Sequence, residues 1–352
     1  MKQLNYKFLI ASLTAFLVLI ILTLFLLYYF WSNEAIPRGP KLVIDHDGGA
    51  DDAMAIFMAL LYEKYFHGFP VIALTTTHGN VNETQVFINT QKFLGIANRK
   101  DVSIYRGCQY PLIKNIPSDY YFGVDGLGDS DSEFLDYEPI EAKPEHAAVA
   151  LVELSKKFEG ELIVVALGAL TNIALAVKLD PDFINRLSQL YVAAGNVHDE
   201  EYNEPEFNAI MDVESYYVVL NNSRADLVTV IPFSQALKSH NVHRDWRMFT
   251  LGSIQTEIMR ALNVFEQKSI LMSEEWCLLD PIAMAIVLDE YHIAKETRRV
   301  HNSIDICEQR GMNINDFTTN ETNARLIYKI TEEPYKKLLL DIFSADLNGV
   351  KK

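Results

Sequence analysis

The chain has 352 residues and 49% of them are apolar, enough for one large α/β domain, or two ordinary ones, with a sizeable core. Its 31 basic and 47 acidic residues give a formal charge of −16, which argues against nucleic acid as a partner and leaves small polar substrates open. The three cysteines, Cys108, Cys277 and Cys307, form neither a disulfide framework nor a zinc spacing; one bridge plus a free thiol stays open.

Residues 1–7 read as a short basic cytoplasmic N-terminus. Residues 8–31 carry no charge over 24 positions. A helix of that length, rising about 1.5 Å per residue, spans a hydrocarbon core of roughly 30 Å. The expectation is a single-pass signal anchor with the following domain outside the cell or in a lumen; the alternative is a cleaved signal and secretion. The triplets Asn82-Glu83-Thr84, Asn221-Asn222-Ser223 and Asn320-Glu321-Thr322 are glycosylation sequons and agree with that topology. Residues 32–40, with two prolines and a glycine, read as a linker, and residues 41–352 as one catalytic domain.

Within that domain apolar strands alternate with amphipathic helices. Strands are expected at 41–45, 71–76, 102–105, 161–167, 189–194 and 227–232. Helices are expected at 51–65, 83–97, 145–158, 171–178, 213–221, 252–271, 280–288 and 332–346. This alternation implies an open, mainly parallel central sheet flanked by helices, with ligands bound beyond the carboxyl ends of its strands. Residues 106–143 lack periodicity and are rich in Gly, Pro, Asp and Tyr, as a loop over a site would be.

The chemistry concentrates after the first strand. Asp45-His46-Asp47-Gly48-Gly49-Ala50-Asp51-Asp52 puts four carboxylates within eight residues, between a strand end and a helix start. A helix dipole explains Asp51 and Asp52. It does not explain Asp45 and Asp47 at the end of an apolar strand, where like charges call for a neutralising cation. An all-oxygen donor set suits calcium or magnesium, and several carboxylates favour calcium.

This segment resembles the signature of the inosine-uridine type nucleoside hydrolases, Asp-x-Asp-Pro-Gly-x-Asp-Asp. The resemblance continues in order through Thr75-Thr76-Thr77-His78-Gly79-Asn80, Gly123-Val124-Asp125-Gly126-Leu127-Gly128-Asp129, Ala166-Leu167-Gly168-Ala169-Leu170-Thr171-Asn172-Ile173-Ala174, Glu206-Phe207-Asn208 with Asp212 and Glu214, and Asp280-Pro281-Ile282-Ala283. It implies hydrolysis of the N-glycosidic bond of ribonucleosides to ribose and free base. It also implies Ca2+ held by Asp47, Asp52, Asp280 and the Leu167 carbonyl, with Asp47 as general base on a calcium-bound water. Asp51, Asn80, Glu206 and Asn208 would hold the ribose, Asn203 the 5′-hydroxyl, and Asp45 would support the cluster from behind. Relatives form dimers or tetramers, so a homo-oligomer is implied as well.

The pattern breaks at three places. Gly48 stands where the family has proline, and is expected to make the turn with more backbone freedom. Phe122 and Leu279 stand where many members carry histidines that serve the departing base. Phe122 and Trp276 could stack on that base. Cys277, Tyr120 and Tyr121 could supply a proton, although Cys277 and Trp276 also read as ordinary core residues. Two competing functions follow. One is a nucleoside- or ribose-binding membrane protein that kept the metal and sugar contacts but lost efficient catalysis. The other is a phosphatase built on Asp45-His46-Asp47-Gly48, which leaves the Glu-Phe-Asn and Leu-Thr-Asn segments unexplained.

Overall fold

The structure of the protein is a computed structural model that describes residues 14, 16–23, 39–129, 138–240 and 242–347. The chain divides into Met1–Gly39 and Pro40–Lys352. In the first unit residues 16–23 are helical, with apolar side chains such as Phe16 and Leu19 exposed. The other residues of the expected anchor, 8–13, 15 and 24–31, lie outside the described residues, as do 1–7 and 32–38. Among the described residues no helix is long and apolar enough to cross a membrane.

The second unit is built on a nine-stranded sheet of order β3-β2-β1-β4-β5-β6-β9-β7-β8. The strands are β1 (Lys41–His46), β2 (Val71–Thr76), β3 (Ser103–Tyr105), β4 (Leu162–Ala166), β5 (Leu187–Ala193), β6 (Val228–Ile231), β7 (Ala294–Ile304), β8 (Asn313–Asp316) and β9 (Ala324–Ile330). All pairings from β3 across to β9 are parallel, while β7 runs antiparallel to β9 and β8. Every residue of β1 and β4 is buried, which accounts for their continuous apolar runs instead of an alternation. Two apolar clusters cover the two faces. One holds Leu42, Ile44 and the helix Ala50–Phe66; the other holds Val43, Val164 and the helix Thr171–Leu179.

The strand order reverses between β1 and β4. At such a switch point the connections leave toward opposite faces and open a crevice beyond the strand ends. The helix Ala50–Phe66 starts from the β1 side of this crevice and packs against the helix Leu279–Ile293. Both are buried through most of their length, so neither shows a strong polar face.

Three expectations require correction. The expected helix at 252–271 is broken. A 3₁₀ turn at Leu251–Ser253 precedes Thr256, whose hydroxyl accepts from the Met259 N–H and starts a separate helix, Glu257–Phe265. Strands β7 to β9 were not expected. In β7 only Val300, Asn302 and Ile304 are buried, so the Lys-Glu-Thr-Arg-Arg half of the strand carries no apolar alternation to read. The short helices Phe207–Met211, Phe233–Ser239 and Arg244–Phe249 fell below the length at which a period is visible. Residues 106–129 and 138–143 are irregular, as expected. The three cysteines are all unpaired.

Candidate active site

The carboxylate cluster grows out of the β1 turn. Asp45 is the last but one residue of the strand, and its carboxylate lies under the crevice. Oδ1 accepts from Thr75 Oγ1 at 2.5 Å and Asn172 Nδ2 at 2.7 Å, while Oδ2 is buried without a partner. Burial pushes its pKa up to about 7 against the lowering effect of those two bonds. Beyond Asp47 the chain turns at Gly48 with φ +80°. Proline is locked near −65° and cannot take that angle. A Cβ there would also lie 3.0 Å from Val86 Cα. Glycine is therefore required by this turn, which corrects the expectation of a merely looser substitute. Gly49 follows as the helix N-cap, its N–H donating to Asp52 Oδ2 at 2.7 Å, and the Asp47 N–H donates to Asp52 Oδ1 at 3.3 Å.

Asp280 reaches the same place from far along the chain. It occupies the first turn of the helix Leu279–Ile293, as Asp51 and Asp52 occupy the first turn of Ala50–Phe66. Side by side, the two positive helix ends favour negative charge between them. One carboxylate oxygen from each of Asp51, Asp52 and Asp280 lies within 4.8 Å of the others. Burial, and then the facing carboxylates, hold Asp47, Asp52 and Asp280 well above the usual carboxylate range. Among the described residues no Lys or Arg forms an ion pair with any of the four. Buried, converging, all-oxygen and without a counter-ion, this donor set fits a hard divalent cation.

Asp47 is lodged tightly. Its Oδ2 accepts from the Asn80 N–H at 2.8 Å. A Cβ on Gly79 would sit 1.8 Å from Oδ2, and one on Gly168 would sit 2.9 Å from Asp47 Cβ. The Leu-Thr-Asn segment holds this floor together. Asn172 Nδ2 donates to Asp45 Oδ1 and to Thr76 O, and Asn172 Oδ1 accepts from the Cys108 N–H. Thr171 Oγ1 lies 3.1 Å from His78 Nε2 and donates to Asp212 Oδ2 at 2.7 Å. Burial lowers the His78 pKa, with Asp212 opposing. That histidine is absorbed into the scaffold.

Above the cluster a cavity of about 420 Å³ opens, within the range of a small-ligand site. It is lined by the expected Asp47, Asp51, Asn80, Phe122, Leu167, Asn203, Glu206, Asn208 and Asp280. Glu206 is an N-cap. Its oxygens accept from the N–H groups of Gly195, Asn208 and Ala209, which counter the upward effect of burial on its pKa. Asn208 Nδ2 donates to the carbonyls of Leu167 and Ala193, so its Oδ1 is the end left for a ligand. The Leu167 carbonyl thus faces Asn208 beside the cluster.

Two expected residues do not line the cavity. Asp52 lies beneath it, held by the turn. Trp276 is buried in the core, and its Nε1 donates to Glu266 Oε2 at 2.8 Å. Glu266 is also paired with the buried Arg247. The expectation that Trp276 stacks on a base is corrected: its indole N–H binds a buried carboxylate, and a buried donor keeps such a partner. Tyr120 is half exposed and off the cavity, whereas Tyr121 and Cys277 line it. Burial pushes the Cys277 thiol up to about 12. His240 does not line the cavity and packs against the rings of Trp276 and Tyr335.

Sequence reasoning missed Asn196, Phe233 and the loop residues Glu201 and Tyr202 on the cavity wall. Asn196 had a readable signal, since Gly195-Asn196 follows β5 as Gly79-Asn80 follows β2. Its Oδ1 accepts from the Ser234 N–H and its Nδ2 donates to Glu204 O, fixing the wall.

A parallel sheet with a carboxylate cluster at its switch point, beside a small-ligand cavity, defines a class: an α/β protein with its site beyond the strand ends and an acidic cluster that could hold a metal ion. The family model of the inosine-uridine preferring nucleoside hydrolases matches residues 42–337, and the chain belongs to that family of N-ribosyl hydrolases. It is 28% identical over 317 residues to the inosine-uridine preferring nucleoside hydrolase of Crithidia fasciculata, covering 86% of this chain and 96% of that protein. It is 37% identical over 202 residues to a probable uridine nucleosidase of Arabidopsis thaliana, a match spanning 56% of this chain and 60% of that protein. In fold it resembles a plant nucleoside hydrolase of known structure, with a TM-score of 0.76 and 24% identity, over 87% of this chain and 99% of that one.

Proposed function

We propose that the chain hydrolyses the N-glycosidic bond of ribonucleosides to ribose and free base around one calcium ion. One observation carries the reading: a single cavity gathers Asp47, Asp51, Asn80, Glu206, Asn208 and Asp280 from the ends of two strands and the N-termini of three helices. As the base departs, positive charge develops on the sugar ring. The carboxylates of Asp51 and Glu206 and the amide oxygens of Asn80 and Asn208 surround that charge and stabilise it. Asp47, fixed by the Asn80 N–H and the absence of side chains at Gly79 and Gly168, takes a proton from the attacking water. Asp52, Asp280 and the Leu167 carbonyl would hold the ion with Asp47. Asp51 also has an oxygen within reach of the Asp52–Asp280 pair. When bound, calcium supplies Lewis acidity and lowers the pKa of a water.

A reducing-sugar assay on inosine, uridine and p-nitrophenyl riboside tests the proposal, with Asp47→Ala as control. Turnover that Asp47→Ala abolishes is expected; no turnover of any of the three defeats it. Phe122 and Leu279 favour a second reading, in which the site binds nucleoside and turns it over poorly. Calorimetric binding of ribose without turnover would select it.

We infer a membrane tether through residues 8–31, with the catalytic domain outside the cell or in a lumen. The reading is supported by the charge-free run and by the exposed apolar side chains of its helical residues 16–23. An alkaline carbonate wash of membranes from expressing cells checks it: the full chain should stay in the pellet, and release into the wash contradicts a spanning anchor.

A further inference from the structure

Breaking a C–N glycosidic bond leaves the electron pair on the base, and most bases leave poorly unless a donor supplies a proton. The inference below rests on the hydrolase reading above and asks which residue gives that proton. Phe122 and Leu279, which stand where many family members carry a histidine, have no proton to give. The donor is therefore sought among the cavity's remaining walls.

Asp47, Asp51, Asp280 and Glu206 belong to the sugar and ion end. Asp119, Glu201 and Glu204 are exposed on the wall, where solvent competes for any contact they make with the base. Three protonated groups are left: the phenols of Tyr121 and Tyr202 and the thiol of Cys277. All three line the same cavity. The Tyr202 phenol is engaged by Glu201, its ring lies under Lys238 Nζ at 4.8 Å, and its loop is largely exposed. A thiol is the weakest hydrogen-bond donor of the three. The Tyr121 hydroxyl has no hydrogen-bond partner among the described residues. Its ring stands edge-on against the buried Phe122, with centroids 4.9 Å apart and planes at 89°, a contact that restrains the ring. Burial, and then the ionisable groups Asp51, Cys277, Glu266 and Asp119, raise its pKa, so it holds its proton at neutral pH, and it shares the cavity lining with Asp51.

We propose that Tyr121 is the proton donor to the departing base. The C1′–N bond breaks and its electron pair goes to the base, which takes the phenolic proton at a ring nitrogen. The water oxygen bonds to C1′, and the water proton goes to Asp47. Solvent then returns a proton to Tyr121 and removes one from Asp47, so the net change is one water consumed per bond cleaved.

The test compares kcat/KM on p-nitrophenyl riboside, whose leaving group departs without a proton, with kcat/KM on inosine and uridine. In Tyr121→Phe the ratio of nitrophenyl to nucleoside activity is expected to rise about 10²-fold, in the usual range for a lost general acid. Cys277→Ala is expected to keep the ratio of the unaltered protein. An unchanged ratio in Tyr121→Phe, with both activities falling together or neither falling, overturns the assignment. A rise in Cys277→Ala instead overturns it in favour of the thiol. Unaltered protein that cleaves the nitrophenyl compound but neither nucleoside overturns the donor while leaving the hydrolase reading intact. Unaltered protein that cleaves none of the three overturns both.

Discussion

Two glycines and one aspartate set the precision of the site. Asp47 is useful only if its carboxylate stays where the Asn80 N–H holds it, and Gly79 is what leaves room. Gly79→Ala places a methyl 1.8 Å from Asp47 Oδ2, so the carboxylate must swing away. Misplacement of about 1 Å can cost roughly 10²-fold. Initial rates on the preferred ribonucleoside should fall at least that far while circular dichroism is unchanged; a variant within threefold of the parent contradicts the placement. Gly48→Pro, which restores the residue the family has, should destabilise the domain by about 3 kcal/mol or more, because φ +80° is closed to proline. An unchanged melting temperature would show that the turn adopts the other geometry at no cost. At this scale the ligand-bearing residues were legible because their chemistry is local: aspartates after an apolar strand, Asn after Gly at a strand end. What lay beyond reading was which neighbour each side chain chooses. Trp276 had a base or a core to serve, and the choice was made by Glu266, ten residues away and already committed to Arg247.

The elements carry the long-range part of the design. The helix Leu279–Ile293 brings Asp280 beside Asp52 by packing on Ala50–Phe66, and both helices are apolar enough to be recognised as buried. The C-terminal helix Glu332–Ala345 closes the same side of the sheet through Tyr335, Leu339 and Phe343. Between them His240 is buried with both ring nitrogens unpartnered, facing Glu332 and Lys336 from that helix and the rings of Trp276 and Tyr335. Burial pulls its pKa from 6.5 down to about 4, Glu332 opposing and Lys336 assisting. Below pH 6.5 the unfolded chain takes up a proton that the folded one refuses. The His240 contribution to stability is therefore complete above pH 6.5 and is lost as pH falls toward 4, at up to about 1.4 kcal/mol per unit. Melting temperatures of the parent and of His240→Phe, subtracted across pH 7.5 to 4.5, should diverge steadily in favour of the variant; parallel curves contradict it. The parallel half of the sheet was legible because its strands are continuous apolar runs between helices. The antiparallel extension was not, because β7 lies toward the sheet's edge with charged residues through its first half, and its pairing with β9 is decided by tertiary contact.

For the whole domain, fold and site are one construction: the sheet reverses its order where β1 meets β4, and two helix N-termini meet beside that point with the carboxylates of Asp51, Asp52 and Asp280 between them and Asp47 in the adjoining turn. Without a cation the folded state holds these groups above their usual pKa, a standing cost at neutral pH that a bound divalent ion offsets. Ion binding and stability are therefore linked, by about 2.7 kcal/mol at a hundredfold excess over Kd. The most direct measurement is a calorimetric titration of calcium into the chelator-treated full chain, beside Asp280→Asn, with melting temperatures taken at both ends. The account predicts one calcium per chain, a melting temperature that rises on saturation, and loss of both in Asp280→Asn. Calcium binding equally well to Asp280→Asn, or no binding by the parent chain, would contradict it.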